Sequence, residues 1–267
     1  LVAAVLLLLW ENLSNDLFDA DTGVDVEGKP HSVVALLGQR RPVRRLAHGA
    51  LVAGLLLMAV IASRSSVWVL ALVLLCCLLG YLYQGPPFRL GYLGLGEPLC
   101  WMAFGPLATA AALMVLTPAR ADAVTVGVPW ASALALGSGP ALATTLVLFC
   151  SHFHQVETDA RHGKRSPVVR MGTARAAALV PWFIAGTLAL EWVPVLDGHW
   201  PLTALLGGLG LPAASALIRL LRDHHRHPER ISGSKFLALR FQALNGLGLS
   251  LGLAIGPRFE AVVQQLI

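Results

Sequence analysis

A run of acidic and amide side chains follows the first hydrophobic stretch of the chain, between Glu11 and Asp25. Four of them stand at positions i, i+3, i+4 and i+7, which places them on one stripe of a helix: Asn12, Asn15, Asp16 and Asp19. Carboxylates that face one cavity repel each other unless a cation lies between them, and oxygen ligands favour magnesium. The stripe therefore predicts a magnesium-diphosphate site, with Asp16 and Asp19 as metal ligands and Asn12 and Asn15 on the diphosphate. Asp25, which follows the stripe, is a further predicted metal ligand.

The alternative interpretation is a helix end whose acids merely face water, which is the usual role of a charged run. Asp16 and Asp19 lie at the C-terminal end of the predicted helix, however, where the helix dipole disfavours negative charge. The two asparagines lie a turn deeper in an apolar segment, where polar groups are costly without a function. These positions favour the binding site.

A second polar cluster follows much later, from Ser151 to Arg165. Helical spacing places Ser151, Gln155 and Asp159 on one face, and a glycine break precedes Lys164 and Arg165. Acids followed by bases suit a metal-bound diphosphate, because cationic side chains hold the oxygens that the metal leaves free. We predict Glu157 and Asp159 as metal ligands and four diphosphate-binding residues: Gln155, Arg161, Lys164 and Arg165.

The turn-rich segment between the two clusters runs from Tyr81 to Glu97. Its tyrosines and its arginine are typical of an aromatic belt at a membrane interface. They are equally suited to close over a diphosphate and to stabilise an allylic cation through aromatic faces. Both interpretations stay open, and the second makes Tyr83, Arg89 and Tyr92 diphosphate-binding residues.

The composition places these clusters in a membrane protein. Of the 267 residues, 56% are hydrophobic and 13% are charged, and the mean hydropathy is +0.67, whereas soluble domains carry about 25% charged residues. The four cysteines lie in or beside apolar runs and show no zinc or disulfide spacing. The net charge of +5 is explained by membrane orientation, and we predict no nucleic-acid partner.

The apolar runs predict an all-α bundle of transmembrane helices, each about 20 residues long. The candidate spans are centred on residues 1–18, 43–62, 67–84, 96–117, 123–150, 175–193, 201–221 and 236–256. If they alternate in direction, the polar loops at 19–42, 85–95, 151–174 and 222–235 share one side. Most of the 20 lysines and arginines fall on that side, which predicts that it faces the cytoplasm or the stroma.

The first and third polar loops resemble each other. Asp25 is followed by Gly28-Lys29 in one loop, and Asp159 is followed by Gly163-Lys164 in the other, four helices later. This similarity indicates a parallel internal repeat with one shared site at its midpoint. Lys29 is therefore a further predicted diphosphate-binding residue, and Asp16, Asp19 and Asp159 are the predicted catalytic residues.

These motifs together resemble the UbiA superfamily of intramembrane prenyltransferases over nearly the whole chain. The resemblance is carried by Asn15-Asp16-x-x-Asp19 with Asp25 following, by the Tyr83–Glu97 loop and by Glu157–Arg165. It implies one prenyltransferase domain over residues 1–267, with magnesium as cofactor and, as partners, an isoprenoid diphosphate, an aromatic acceptor and membrane lipid. Members of the superfamily have nine spanning helices, so eight spans and an initial Leu1 lead us to expect a missing first helix.

The loop sequences are most similar to the phototroph branch, which attaches a phytyl chain to 1,4-dihydroxy-2-naphthoate with loss of carbon dioxide. The resemblance implies that function in phylloquinone synthesis, in a chloroplast membrane with the site towards the stroma or in a cyanobacterial membrane. Bacterial menaquinone relatives usually have an aspartate at the position of Gln155, so the second metal cluster here depends on Glu157 and Asp159. The alternatives are a homogentisate, chlorophyllide or menaquinone-type prenyltransferase and, in another class, a transporter.

Overall fold

The computed structural model describes residues 1–23, 32–117 and 127–266, with side chains up to Pro257. The helices are α1 (Val2–Thr22), α2 (Val33–Leu37), α3 (Arg40–Ser63), α4 (Val67–Gln84), α5 (Gly96–Met102), α6 (Ala108–Leu116), α7 (Trp130–Ser151), α8 (Val156–Arg161), α9 (Pro167–Met171), α10 (Thr173–Leu196), α11 (Leu211–His224) and α12 (Ser234–Leu266). A π turn (Ala103–Leu107) joins α5 to α6, and 3₁₀ turns occupy Leu90–Leu93, Phe153–Gln155 and Leu202–Gly210. The described residues contain no β-strand, so the prediction of an all-α protein is confirmed.

Seven helical segments within the described ranges are long and apolar enough to cross a membrane. They are Arg40–Ser63, Val67–Gln84, Gly96–Leu116, Trp130–Arg161, Thr173–Leu196, Leu202–His224 and Ser234–Pro257. They correspond to the last seven of the eight predicted spans. The first predicted span is also a helix, α1, with 21 residues, but Glu11, Asp16 and Asp19 make it too acidic to count as an ordinary apolar span. Helices thus occupy all eight predicted positions, and seven of them are apolar while the first is acidic.

The largest buried core joins the second polar cluster to the C-terminal helices. Phe149 and Phe153 lie 5.8 Å apart, ring centroid to ring centroid, in an edge-on arrangement. Both are fully buried together with Leu217 of α11 and Phe241 of α12. Burying aromatic side chains contributes strongly to packing. This core fixes the end of α7, from which the second polar cluster begins.

The 3₁₀ segment Leu202–Gly210 packs tightly along α12. A Cβ atom on Gly248 or Gly252 would collide with the backbone of Leu206 or Thr203, and the Thr203 hydroxyl donates a hydrogen bond of 2.6 Å to the Gly252 carbonyl oxygen. Only glycine allows the two backbones to approach so closely. The glycine-rich sequence of α12 is therefore explained by packing.

A buried polar pair links α10 to α12 and the same 3₁₀ segment. The Asn245 amide donates to Glu191 Oε2 at 2.7 Å and to the Gly207 carbonyl oxygen at 3.1 Å. Glu191 and Asn245 are 1% and 0% exposed, and neither lines either of the two cavities described below. The pair therefore has a structural role in holding three segments together.

Asn245→Leu is expected to destabilise the protein, because it leaves the buried Glu191 carboxyl without its donor. The loss of a buried hydrogen-bond partner costs about 1–3 kcal/mol, so the thermal midpoint in detergent should fall by several degrees. Glu191→Gln, which can keep a hydrogen bond to Asn245, is the matched variant and should lose less. Equal stability of Asn245→Leu and the wild type would contradict this role.

Candidate active site

A polar cavity of about 450 Å³ lies between α1, α4, α5, α7 and α12. Its wall carries acids and amides on one side and cations and hydroxyls elsewhere. The polar side chains that line it are Glu11, Asn12, Asn15, Asp16, Asp19, Tyr83, Gln84, Thr144, Ser151, His152, Gln155, Lys164, Lys235 and Gln242. Polar groups concentrated in one cavity of a helix bundle indicate a functional site.

The α1 wall contains the whole predicted stripe. Asn12, Asn15, Asp16 and Asp19 all line the cavity, and Asp19 is 0% exposed. Asp16 Oδ2 accepts a hydrogen bond of 2.9 Å from the backbone N–H of Val33, at the start of α2. The N-terminus of α2 thus contacts the stripe and helps to fix Asp16.

The second polar cluster is not one continuous α-helix. α7 ends at Ser151, and the 3₁₀ turn Phe153–Gln155 precedes α8, so the predicted single helical face is wrong. The backbone bonds His152 N–Phe149 O and Gln155 N–His152 O, both 3.3 Å, tighten this turn. Ser151 and Gln155 still line the cavity, whereas Asp159 lies fully buried beside it.

A chain of buried ionisable groups supports the cavity from behind. Asp159 Oδ1 lies 3.8 Å from Lys164 Nζ, and Asp159 Oδ2 lies 3.4 Å from His152 Nδ1. The other ring nitrogen of His152 is 3.7 Å from Glu97 Oε1. All four residues are less than 9% exposed. Buried charges are costly unless they are paired. Lys164 both takes part in this pairing and lines the cavity.

Tyr92 connects the first cluster to the second. Its hydroxyl lies 2.6 Å from Thr22 Oγ1 and donates to Asp19 Oδ1 at 3.4 Å. The Tyr92 carbonyl oxygen accepts a 2.8 Å hydrogen bond from the Arg165 backbone N–H. Arg89 and Lys164 each lie 5.7 Å from the Tyr92 ring centroid, within the range of cation–π contacts. One side chain therefore contacts the acid stripe and both neighbouring cations.

Tyr92→Phe is expected to lower kcat/KM about fivefold, since it removes the hydroxyl contacts with Thr22 and Asp19 but keeps the ring; one hydrogen bond contributes about 1 kcal/mol. Steady-state kinetics measure the loss, and Thr22→Val combined with Tyr92→Phe should be less than additive. Tyr81→Phe is the matched control, because it removes a 2.6 Å bond to the Pro86 carbonyl oxygen outside the cavity lining. Equal losses in Tyr92→Phe and Tyr81→Phe would argue against the connection.

The remaining predicted residues lie in different places. Glu157, Arg161 and Arg165 are exposed and do not line the cavity. Tyr83 lines it, and its ring packs against Gly91 and Gly96. Asp25 and Lys29 lie outside the described residues.

The chemistry of the cavity suits a divalent cation held together with a diphosphate. The buried oxygens of Asp159 accept no hydrogen bond within the described chain, and Asp16 and Asp19 add carboxylates on the α1 wall. Among described residues, no three His, Cys, Asp or Glu side chains converge on one point. Magnesium is commonly held by one or two carboxylates together with substrate phosphates, so the donor set fits a metal that arrives with the diphosphate.

A second, apolar cavity of about 410 Å³ adjoins the polar one. Glu11, Ala103 and Phe104 line both cavities, and the π turn beginning at Ala103 places the latter two at the junction. The rest of its wall comes mainly from apolar side chains of α1, α3, α4 and α6. A polar chamber thus lies directly beside a hydrophobic one, with these three residues in the shared wall.

The sequence model of the UbiA prenyltransferase family matches residues 1–240 of the chain. The chain belongs to the UbiA prenyltransferase family. It is accordingly a prenyltransferase embedded in a membrane as a multi-pass helical protein, which excludes the transporter alternative. Members of the family use a divalent metal to bind the diphosphate, in agreement with the donor set of the polar cavity.

Individual UbiA relatives are also similar over most of the chain. The 2-carboxy-1,4-naphthoquinone phytyltransferase of Synechocystis sp. is 40% identical over 262 residues, which cover 94% of this chain and 79% of that protein. The chloroplastic enzyme of the same name from Arabidopsis thaliana is 40% identical, over 96% of this chain and 66% of that protein. The 1,4-dihydroxy-2-naphthoate octaprenyltransferase of Mycobacterium tuberculosis is 32% identical over 84% of this chain and 77% of that protein. No solved structure gives a significant match.

Several residues of this UbiA site were not among the sequence predictions. Glu97 lies in the turn-rich segment and His152 in the second polar cluster, but their mutual contact joins positions 55 residues apart and has no local signal in the sequence. Lys235 and Gln242 come from the last helix, where Lys235 counted only towards the charge bias. The spacing of Lys235, Leu239 and Gln242 at i, i+4 and i+7 is the signal that indicates a common face.

Proposed function

We propose that this prenyltransferase transfers a phytyl group from its diphosphate to 1,4-dihydroxy-2-naphthoate, or to the quinone form, with loss of carbon dioxide. The observation that carries the proposal is the junction of the polar cavity with the apolar one at Glu11, Ala103 and Phe104. An isoprenoid diphosphate matches this pair of cavities, because it has one charged end and one hydrocarbon tail. The activity for which the two relatives at 40% identity are named supports the phytyl chain and the naphthalene acceptor.

Lys164 and the α1 acids hold the diphosphate end in this proposal. Asp16 and Asp19 are carboxylates of the cavity wall, and Lys164 supplies a fixed positive charge from the second cluster. Magnesium, when bound with the diphosphate, would be held by one or two of the carboxylates of Asp16, Asp19 and Asp159 and would withdraw charge from the diphosphate oxygens. The protein groups keep that charge in place without reorganising during the reaction, which is the efficient form of electrostatic catalysis.

Departure of the diphosphate leaves positive charge on the allylic carbon, and the acceptor ring then forms the new carbon–carbon bond. The ring of Tyr83 lines the cavity and is suited to stabilise that charge through its aromatic face. Carbon dioxide leaves from the substituted ring carbon, and its bonding electrons restore the aromatic system. The bundle around the cavity limits access of water, which would otherwise capture the cation.

Ala108→Phe is expected to affect the tail selectively, because Ala108 lines the apolar cavity. A large side chain there should raise the KM for phytyl diphosphate about tenfold through overpacking, with little effect on the shorter geranyl diphosphate. Steady-state kinetics with the two donors measure the difference. Parallel loss with both donors would indicate that the tail lies elsewhere.

The proposed location is a plastid or cyanobacterial membrane, with the polar cavity towards the stroma or cytoplasm. Its support is the positive charge of the polar loops and the source of the two most similar relatives reported above.

A product assay with the full protein in membranes tests the proposed reaction. Phytyl diphosphate and magnesium are supplied with 1,4-dihydroxy-2-naphthoate, homogentisate or chlorophyllide, and products are identified by mass. We expect a decarboxylated, phytylated naphthohydroquinone, or the quinone that air oxidation forms from it, only with the naphthoate, and no product after chelation of the metal. Product formation with homogentisate or chlorophyllide instead of the naphthoate would contradict the proposed acceptor. Unchanged turnover after chelation would contradict the proposed role of magnesium.

A further inference from the structure

The polar cavity has a second wall that differs in chemistry from the acidic α1 wall. Lys235, Leu239 and Gln242 stand at i, i+4 and i+7 on α12 and line it together. Beside them α7 contributes Thr144, Val147, Leu148 and Ser151, also at helical spacing. This wall therefore combines one cation with aliphatic side chains and neutral hydrogen-bonding groups.

Lys235 is the distinctive residue of this α7–α12 wall. The ion pairs formed among the described residues do not involve it, although it is partly buried. Its Nζ atom lies 5.1 Å from the ring centroid of Phe236. A partly buried ammonium group in a helix bundle is costly unless an anion compensates it. The described protein supplies no such carboxylate, so the compensating anion is best sought in a ligand.

We infer that Lys235 binds the carboxylate of the aromatic acceptor and that the α7–α12 wall forms the acceptor subsite. This inference rests on the proposed function, and it holds for the naphthoate and for its quinone form, since both carry the carboxylate. The α1 acids repel a substrate carboxylate, whereas Lys235 attracts it. The two walls thereby orient the acceptor with its acid group away from the stripe that takes the diphosphate.

The spacing along α12 suits a two-ring acceptor. Lys235 and Gln242 are seven residues apart, which corresponds to about 10 Å along a helix, with the aliphatic side chain of Leu239 between them. The Gln242 amide N–H donates a hydrogen bond of 2.9 Å to Thr144 Oγ1, which fixes both side chains. The amide oxygen of Gln242 is then able to accept a hydrogen bond from a hydroxyl group of the naphthoate. Carboxylate, ring and hydroxyl each have a matching group on this wall.

Kinetics of the Lys235→Gln variant of the full protein test the subsite, with both substrates varied separately. The KM for 1,4-dihydroxy-2-naphthoate is expected to rise about 10- to 100-fold, the usual range for losing a charge-assisted hydrogen bond, while the KM for phytyl diphosphate stays unchanged. Inhibition by 1,4-naphthohydroquinone, which lacks the carboxylate, should be equal in variant and wild type. Lys235→Arg should retain most of the affinity for the naphthoate.

Arg240→Gln is the matched control, because Arg240 is an exposed cation on the same helix that does not line the cavity. It should change neither KM. An unchanged naphthoate KM in Lys235→Gln, or a raised KM for phytyl diphosphate instead, would overturn the subsite while leaving the proposed reaction intact. Absence of naphthoate turnover in the wild type would overturn the proposed function itself, and the subsite with it.

Discussion

Asp19→Asn is expected to lower kcat/KM by about 100- to 1000-fold, the range seen when one preorganised electrostatic group is removed from an active site. Asp19 is fully buried at the cavity and accepts a hydrogen bond from the Tyr92 hydroxyl. The substitution therefore removes a charge while nearly keeping the shape of the side chain. Asp16→Asn should have a comparable effect. Steady-state kinetics over a range of magnesium concentrations measure both, and the magnesium required for half-maximal rate should rise.

The control for this prediction is Asp21→Asn on the same helix. Asp21 pairs with Arg40 at 2.6 Å on the surface and does not line the cavity, and exposed pairs contribute little to stability. Its activity and magnesium dependence should match the wild type. If Asp19→Asn kept its rate, or if Asp21→Asn lost as much, the acid stripe would not be the diphosphate site.

Lys164→Met is expected to weaken binding of phytyl diphosphate about 100-fold, since a charge-assisted hydrogen bond contributes about 1.5–3 kcal/mol. Lys164 is 2% exposed and reaches the cavity from the second cluster. Calorimetric titration of the diphosphate with magnesium measures the affinity apart from turnover. Lys164→Arg, which keeps the charge, should recover part of it.

Loss of stability is the competing explanation for Lys164→Met, because the substitution leaves Asp159 buried without its cation, and breaking a buried pair costs about 3–5 kcal/mol. Thermal unfolding separates the two effects. Arg175→Gln, an exposed cation of α10, is the matched control for a change of charge alone. A variant that unfolds earlier but binds the diphosphate normally would show that Lys164 is only a structural partner of Asp159.

The membrane fold could be predicted from the sequence because each span is a long apolar run, and such runs have few alternatives. The acid stripe could also be predicted, since Asn12, Asn15, Asp16 and Asp19 belong to one uninterrupted helix and their spacing alone fixes a common face. In both cases local sequence determines the feature.

The rest of the site depends on contacts between distant segments, which spacing does not reveal. The sequence predicts a regular helix through the second cluster, but a 3₁₀ turn follows Ser151. This turn interrupts the helix between His152 and Asp159, whose side chains are in contact. Glu97 reaches His152 only because α5 packs on α7. Lys235 enters the cavity because α12 packs on α7. Its spacing with Leu239 and Gln242 indicates a common face of the helix but does not reveal what that face meets.

The most direct test of the proposed site is the structure of the protein bound to magnesium and phytyl thiodiphosphate, an unreactive analogue of the donor. We expect the diphosphate between the α1 stripe and Lys164, with the phytyl chain passing Phe104 into the apolar cavity. A diphosphate bound away from Asp16 and Asp19, or a chain that leaves the apolar cavity empty, would contradict the central claim that the two cavities form one donor site.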